Sequence, residues 1–439
     1  MVKERKVMKI RKRDKGSKVV LGITLIFLSV LIAVPAMGGP AKELSLLIVS
    51  HFVPPFETEV EAQAQQWMKE RPDVKVTIDW VGTEEQAATL LAEAESGSGH
   101  DIVNLESFDS ALFRRSLLPL DDVAEELAAE NGGWTQAKRE IGYVDGRWVA
   151  VPWFIHTFVA VYRTDYFQQI GVDREMGSRA TWDDMLVWAE KLAAIDHPIG
   201  IPVGSNNDSD CSVGPLLWSF GGATVNREGE VTIDSPETVA ALEYSKKLFQ
   251  YMPKAVFGWT AGGDNNVFML SGYGSWTMNP PSIYASALKS VPDVAKYLDH
   301  VRTPAGPDGR FRSGSVWSLG VWNYSPNPEL AREFIKFLMR KDNWYAQLVA
   351  SAGYNQPVLK DYQAHPIWRD RKSLNQYEPM QETLHMMGWK YGPSAAGKKT
   401  FNLHIVPIMF AKATTDGVQA AIEWAETELK TLWKEELRK

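Results

Sequence analysis

LSLLIV (residues 44–49), VKVTIDW (74–80) and DIVNL (101–105) are three short runs rich in aliphatic residues, and two segments of helical spacing separate them. The first run is continuously apolar apart from Ser45, the pattern of a strand buried on both faces. Val60, Ala64 and Trp67 follow it at helical intervals, and EEQAATLLAEAES (84–96) follows the second run in the same way. Strand, helix, strand, helix, strand in this order predicts a parallel, doubly wound α/β sheet. Ligands of such sheets bind beyond the carboxyl ends of the strands. Those ends are Ser50-His51-Phe52, Val81-Gly82-Thr83 and Glu106-Ser107-Phe108-Asp109.

Downstream, WVAVPWFIHTFVAVY (148–162) is too long for one ordinary strand and holds Pro152. A strand passing from one lobe into another has this character. Thr181 precedes an amphipathic helix carrying Met185, Trp188, Ala189 and Leu192 on one face. Ser235-Pro236 and Asn327-Pro328 each read as an N-cap followed by proline at the first helical position. Leu330, Phe334, Phe337 and Leu338 form the apolar stripe of the latter helix, and residues 415–439 read as one amphipathic helix or two.

Upstream, residues 1–18 hold nine basic and two acidic side chains, then VVLGITLIFLSVLIAV (19–34) is uncharged and Pro35-Ala36-Met37-Gly38-Gly39 is small. This three-part pattern predicts a secretory signal peptide over 1–36, cleaved after Ala36 or Gly38. Sixteen apolar residues fall short of the roughly 20 that span a bilayer. No cysteine follows the run, so a lipid anchor is not expected, and the periplasm is the predicted compartment. Losing the segment changes the net charge from −7 to about −14. Such acidity argues against nucleic-acid binding, which needs a basic footprint. One cysteine, Cys211, excludes a disulfide framework within the chain and multi-cysteine metal sites. It reads as a small buried hydrophobe.

Several stretches resemble, in order, the extracellular solute-binding proteins of carbohydrate ABC importers, the group that includes maltose-binding protein. They are KERPDVKVTIDWVG (69–82), SGSGHDIVNLESFD (96–109), LLPLDD (117–122), DGRWVAVPWFIHTFVAVYRTDYFQQIGVD (145–173) with TWDDML (181–186), NNVFMLSGYGSWTMNPP (265–281), YSPNPELAREFIKFL (324–338) and GYNQPV (353–358). Ser116 stands where that family commonly has glycine, and Ser275-Trp276 replaces a small pair. The resemblance implies a two-lobed periplasmic-binding-protein fold whose doubly wound sheets are joined by a multi-crossing hinge. It implies lobe one over 40–155 with a return segment 302–323, and lobe two over 156–301 with 324–439. The crossings would fall near 154–161, 301–304 and 321–324. It also implies a monomer without cofactor or metal that delivers a carbohydrate to an inner-membrane ABC permease.

A pyranose presents C–H patches suited to aromatic faces and hydroxyls suited to carboxylates, amides and imidazoles. Among 17 Trp, those at 67, 182, 188, 424 and 433 sit on helical faces and read as core. Trp153, Trp218, Trp276, Trp317 and Trp389 lie in Gly-, Pro- and Asn-rich segments that read as loops, and are candidates for stacking on ligand. On that reading, Trp153→Ala or Trp276→Ala loses ligand and keeps the fold. His51, Glu106 and Asp109 stand at strand exits; the resemblance places a carboxylate on a sugar hydroxyl there. His156, Asn279, Tyr354 and Asn355 complete the candidate set.

Asn206, Asp208 and Asp210 lack the glycine and distal glutamate of a calcium loop. GPSAAGKKT (392–400) nearly spells a phosphate loop but has Lys399 where a metal-binding hydroxyl belongs, and it reads as surface. No nucleophile elbow or zinc-helix motif occurs. Two alternatives stay open: an exported carbohydrate-active hydrolase, and the same fold binding a polyamine or an anion. A hydrolase needs two opposed carboxylates, a polyamine needs several convergent ones, and an anion needs arginines or helix N-termini.

Overall fold

The computed structural model describes residues 42–135, 141–260, 263–370 and 384–437; the expected signal peptide lies outside them. Strands β1 (Lys42–Val49), β2 (Val74–Val81) and β3 (Ile102–Glu106) alternate with helices Pro55–Glu70 and Thr83–Ser96. β1 pairs in parallel with both β2 and β3. Its continuous apolar run has a simple cause. Leu44, Leu46 and Ile48 enter one core with Phe56, Val60 and Trp67, while Leu47 enters another with Leu90, Val103 and Leu105.

After the hairpin β4 (Tyr143–Val144) and β5 (Arg147–Trp148), the long apolar run divides into β6 (Val151–Thr157) and β7 (Val159–Arg163), with Phe158 between them. β6 is the last strand of a five-stranded sheet ordered β2-β1-β3-β10-β6, where β10 is Gly314–Val321. Proline is tolerated there because the strand lies at the sheet edge. The β10–β6 register jumps from Trp317↔Phe154 to Ser318↔Pro152, so Trp153 is bulged out of the ladder. β7 is the centre of a second sheet, between β8 (Trp276–Asn279) and β9 (Leu298–Val301).

Two differences from expectation concern the sheets and the lobe boundary. Among the strands β1–β10, parallel pairing is confined to β1–β3: β10 runs antiparallel to β3 and β6, and β7 runs antiparallel to β8 and β9. Strands that return from one lobe to the other arrive in the reverse sense. Helices Pro328–Leu338 and Lys341–Ala350 share the core of the five-stranded sheet, contrary to their placement with lobe two. The reason is the apolar stripe of the first of them: Phe334 packs on Trp67 at 5.0 Å between ring centroids.

The second core is built from residues between Phe158 and Val301 and from C-terminal helices ending with Val418–Glu436. Its helices are capped locally. Thr181 and Asp184 form a capping box, and Asn206 and Ser235 cap the helices Asn207–Ser219 and Pro236–Leu248. Asn327 caps nothing with its side chain and instead donates to the Glu43 carbonyl at 2.8 Å. Among the described residues no helix is long and apolar enough to cross a membrane.

Candidate functional site

The two cores meet at the carboxyl end of β3. Glu106 ends that strand, Ser107 takes a positive φ of 54°, and the chain turns into the short helix Asp109–Leu112. The turn brings the Asp109 carboxylate back to accept from the Glu106 backbone N–H at 2.8 Å. Two helices of the second core face it. Helix Asn207–Ser219 presents Asn207, whose amide lies 3.3 Å from Glu106 Oε1. Helix Ala395–Asn402 presents Lys398.

Lys398 Nζ lies 3.3 Å from Glu106 Oε2, 3.2 Å from Asp109 Oδ1 and 3.2 Å from the Glu106 carbonyl. Ser315 on β10 donates to Glu106 Oε1 at 2.9 Å. Glu106, Asp109 and Lys398 are each about 95% buried, at 5%, 5% and 4% exposure. Burial acts to lower the Lys398 ammonium, but Asp109 and Glu106 outweigh it and hold it above its usual value. Burial raises the Asp109 carboxyl, with Lys398 pulling against it. Next to this cluster Asp210 accepts from His404 Nδ1 at 2.6 Å, and burial pushes Asp210 up to about 7.

A second group sits where β1 and β6 approach the 354–356 loop. Asn355 Oδ1 lies 2.8 Å from both His51 Nε2 and His156 Nε2. Trp317 Nε1 donates to His156 Nδ1 at 3.1 Å, and the Val53 N–H donates to His51 Nδ1 at 3.0 Å. A neutral His156 therefore carries its proton on Nε2, towards the amide oxygen, whereas His51 Nδ1 also lies 3.0 Å from the Val53 carbonyl. Tyr354 lies against His156 at 3.9 Å between centroids. Burial lowers His51 to about 4 and takes His156 well below its usual value.

The third group is aromatic. Trp389 stacks on His385 at 4.1 Å and 16°, backed by Phe311 at 5.4 Å and Trp218 at 6.0 Å. His385 and Trp389 line a small open cavity of about 40 Å³ with Phe108, Leu384 and Met386. A neighbouring space of about 10 Å³, which shares Phe108 and Met386 with it, is lined by Ser107, Ser313, Lys398 and Phe401. Gly397 permits this junction: a Cβ there would stand 3.0 Å from the Phe108 ring and 3.1 Å from the Met387 carbonyl.

The structure thus brings Glu106 and Asp109 into one cluster, His51, His156, Trp317, Tyr354 and Asn355 into another, and Trp389 with Trp218 into the third. It places the rest elsewhere. Trp153, Trp276 and Trp317 lie on strands and Trp218 on a helix, not in loops. Trp153, Trp218 and Trp276 are at most 1% exposed and pack in the two cores. Asn279 donates to Ser282 Oγ at 2.8 Å and the Pro280 carbonyl at 2.9 Å, fastening the turn after β8.

The sequence reading passed over Lys398, Asn207 and Ser315. Lys398 lies in the stretch read as a surface loop. That stretch instead holds a helix start: Ser394 accepts from the Gly397 N–H at 3.0 Å. Ser394-Ala395-Ala396-Gly397, a capping residue before small ones, was the available signal. Asn206 serves as an N-cap, and among the described residues no group of three His, Cys, Asp or Glu could hold a metal.

The bacterial extracellular solute-binding protein family model matches residues 52–343. A probable ABC transporter-binding protein of Deinococcus radiodurans is 26% identical over 356 residues, 78% of this chain and 81% of that one. The diacetylchitobiose binding protein DasA of Streptomyces coelicolor is 27% identical over 293 residues, 62% of this chain and 63% of that one. Among solved structures, maltose-bound T. maritima MalE3 has a TM-score of 0.75 at 22% identity, with 89% of this chain and all of that one covered. The GacH receptor of Streptomyces glaucescens also has a TM-score of 0.75, at 19% identity over 90% of this chain and 99% of that one.

Proposed function

This chain belongs to the bacterial extracellular solute-binding protein family and has its two-lobed α/β fold, and from that premise we propose that it captures a carbohydrate between its lobes and hands it to an inner-membrane ABC permease. The family binds solutes and carries out no catalysis. We take lobe one as residues 42–157 with 314–370, and lobe two as 159–301 with 384–437. Hinge closure follows from this division. The Lys398 contacts already favour the closed form; ligand touches both lobes only when they are together, so binding shifts the population further towards it.

The observation that carries the sugar reading is the junction itself. The stacked His385–Trp389 pair offers a flat face for sugar C–H groups; Phe108 and Met386 line both its cavity and the next one, where Lys398 holds Glu106 with Asn207 and Ser315 on the same carboxylate. The diacetylchitobiose and maltose named for the relatives agree with it. Neither the hydrolase nor the polyamine reading gains support. The two junction carboxylates share one ammonium instead of opposing each other, and that ammonium already occupies what a polyamine would need. Residues 1–36 act in this scheme as a signal peptide that sends an acidic monomer to the periplasm; the N-terminal sequence of exported protein tests that step.

The function is tested by a melting-temperature screen over mono- and disaccharides. A bound sugar at 100 times its dissociation constant stabilises by about 2.7 kcal/mol. Labelled sugar should be recovered intact; a panel without a hit, or release of cleaved product, would refute the proposal. Trp389→Ala should weaken the binding of a sugar hit about tenfold, or roughly 1.4 kcal/mol, with the ligand-free melting temperature nearly unchanged. Wild-type affinity in that variant would remove Trp389 from the site.

A further inference from the structure

Lys398 is unusual in kind. It is a lysine at 4% exposure, its partners come from the opposite lobe, and its ammonium touches three oxygens at 3.2–3.3 Å. A buried lysine requires such pairing, because an isolated ammonium in an apolar setting is strongly unfavourable. The dependence runs both ways. Glu106 and Asp109 are joined through a backbone hydrogen bond at 2.8 Å and are 5% exposed, so without Lys398 two neighbouring carboxylates would be buried together. Their remaining contacts are neutral: the Ser315 hydroxyl and the Asn207 amide. The helix is set against them at close range by Gly397 on Phe108. Lys398 also lines the small space beside Ser107, Ser313 and Phe401.

We propose that Lys398 is the specificity-determining counter-ion of the cleft. Carried by lobe two, it neutralises the lobe-one carboxylates on closure, so that the closed cleft accepts uncharged solutes and rejects small ammonium ions. Removing its side chain turns Glu106, Asp109 and the Glu106 carbonyl into an empty ammonium socket. This deepens the sugar reading and rests on it only for the identity of the uncharged solute.

The experiment is chemical rescue of Lys398→Ala, read by melting temperature and by small-angle scattering, with propylammonium as the probe. The variant should be more expanded than wild type and should lose at least 100-fold in affinity for any sugar that wild type binds. Millimolar propylammonium should restore compactness and raise the melting temperature, whereas tetramethylammonium at the same ionic strength, having no N–H donor, should do neither. Wild type should respond to neither ion. A variant that keeps wild-type compactness and affinity, or that propylammonium leaves unchanged, overturns the proposal.

If Lys398→Ala is recovered unfolded, Lys398→Met combined with Asp109→Asn and Glu106→Gln removes all three charges. It should fold and close; an unfolded triple variant means that Lys398 acts through packing and not charge, and also overturns the proposal. The ammonium readout needs no sugar, so a failed sugar screen and a failed rescue are separate results.

Discussion

Trp153→Ala should destabilise the protein by about 4–5 kcal/mol, the upper end for truncating a buried tryptophan. Trp153 is fully buried among Phe56 and Phe154, at 5.5 and 4.8 Å between ring centroids. Its Nε1 donates to Gln347 Oε1 at 2.9 Å, and Gln347 in turn donates to Gln63 Oε1 at 2.8 Å and the Leu338 carbonyl at 3.0 Å. Truncation opens a cavity beside the β6 bulge and also leaves the Gln347 oxygen unpaired in the interior. An orphaned buried acceptor costs about 1–3 kcal/mol by itself. Denaturant midpoints measure the loss, with half-buried Trp389→Ala as the reference at under about 1 kcal/mol. Equal midpoints for the two variants would show that Trp153 does not hold the lobe-one core. This expectation reverses the sequence-based one, in which Trp153→Ala lost ligand and kept the fold.

That reversal shows where sequence patterns run out. β1 was readable because its two burial faces leave a continuous apolar run, and the hinge strand because 15 residues exceed one strand and Pro152 sits within it. Trp317 was misread as a loop residue because Gly314 and Gly320 flank it. Those glycines mark close packing: a Cβ on Gly314 would lie 2.4 Å from the His156 carbonyl, and one on Gly320 2.8 Å from Leu105. Glycine in a strand can mark a close neighbour and not a turn. Trp276 belongs to a strand of four residues, too short for alternation to show. At the site, Glu106 and Asp109 were visible because strand exits follow from topology. Lys398 was not, since its partner lies 292 positions away and no local pattern records so distant a contact.

Acid should weaken the fold through the histidines on Asn355, by about 3 kcal/mol from His51 alone between pH 6.5 and 4. Burial holds the His51 imidazole at about 4, against 6.5 when unfolded, and that gap corresponds to about 3 kcal/mol. Above pH 6.5 both states are neutral and the stabilisation is fully present. As pH falls from 6.5 towards 4 the unfolded chain takes up a proton that the folded chain refuses, and stability drops. His156, lowered further by burial and then by the neighbouring His51, adds to the loss in the same direction. A second proton on His156 would have to sit on Nδ1, facing the Trp317 N–H donor, and its charge would lie 5.8 Å from His51. Other groups oppose this. Asp210, raised to about 7, and His100, raised chiefly by its hydrogen bond to Glu93, both favour the folded state as pH falls. The histidine contribution is therefore read as a difference. Between pH 7 and pH 4, wild type should lose at least about 3 kcal/mol more than His51→Gln combined with His156→Gln, whose amides keep a donor towards Asn355 without titrating. Parallel profiles for the two proteins would mean that these imidazoles accept protons in the folded state, and the neutral network on Asn355 would have to be abandoned.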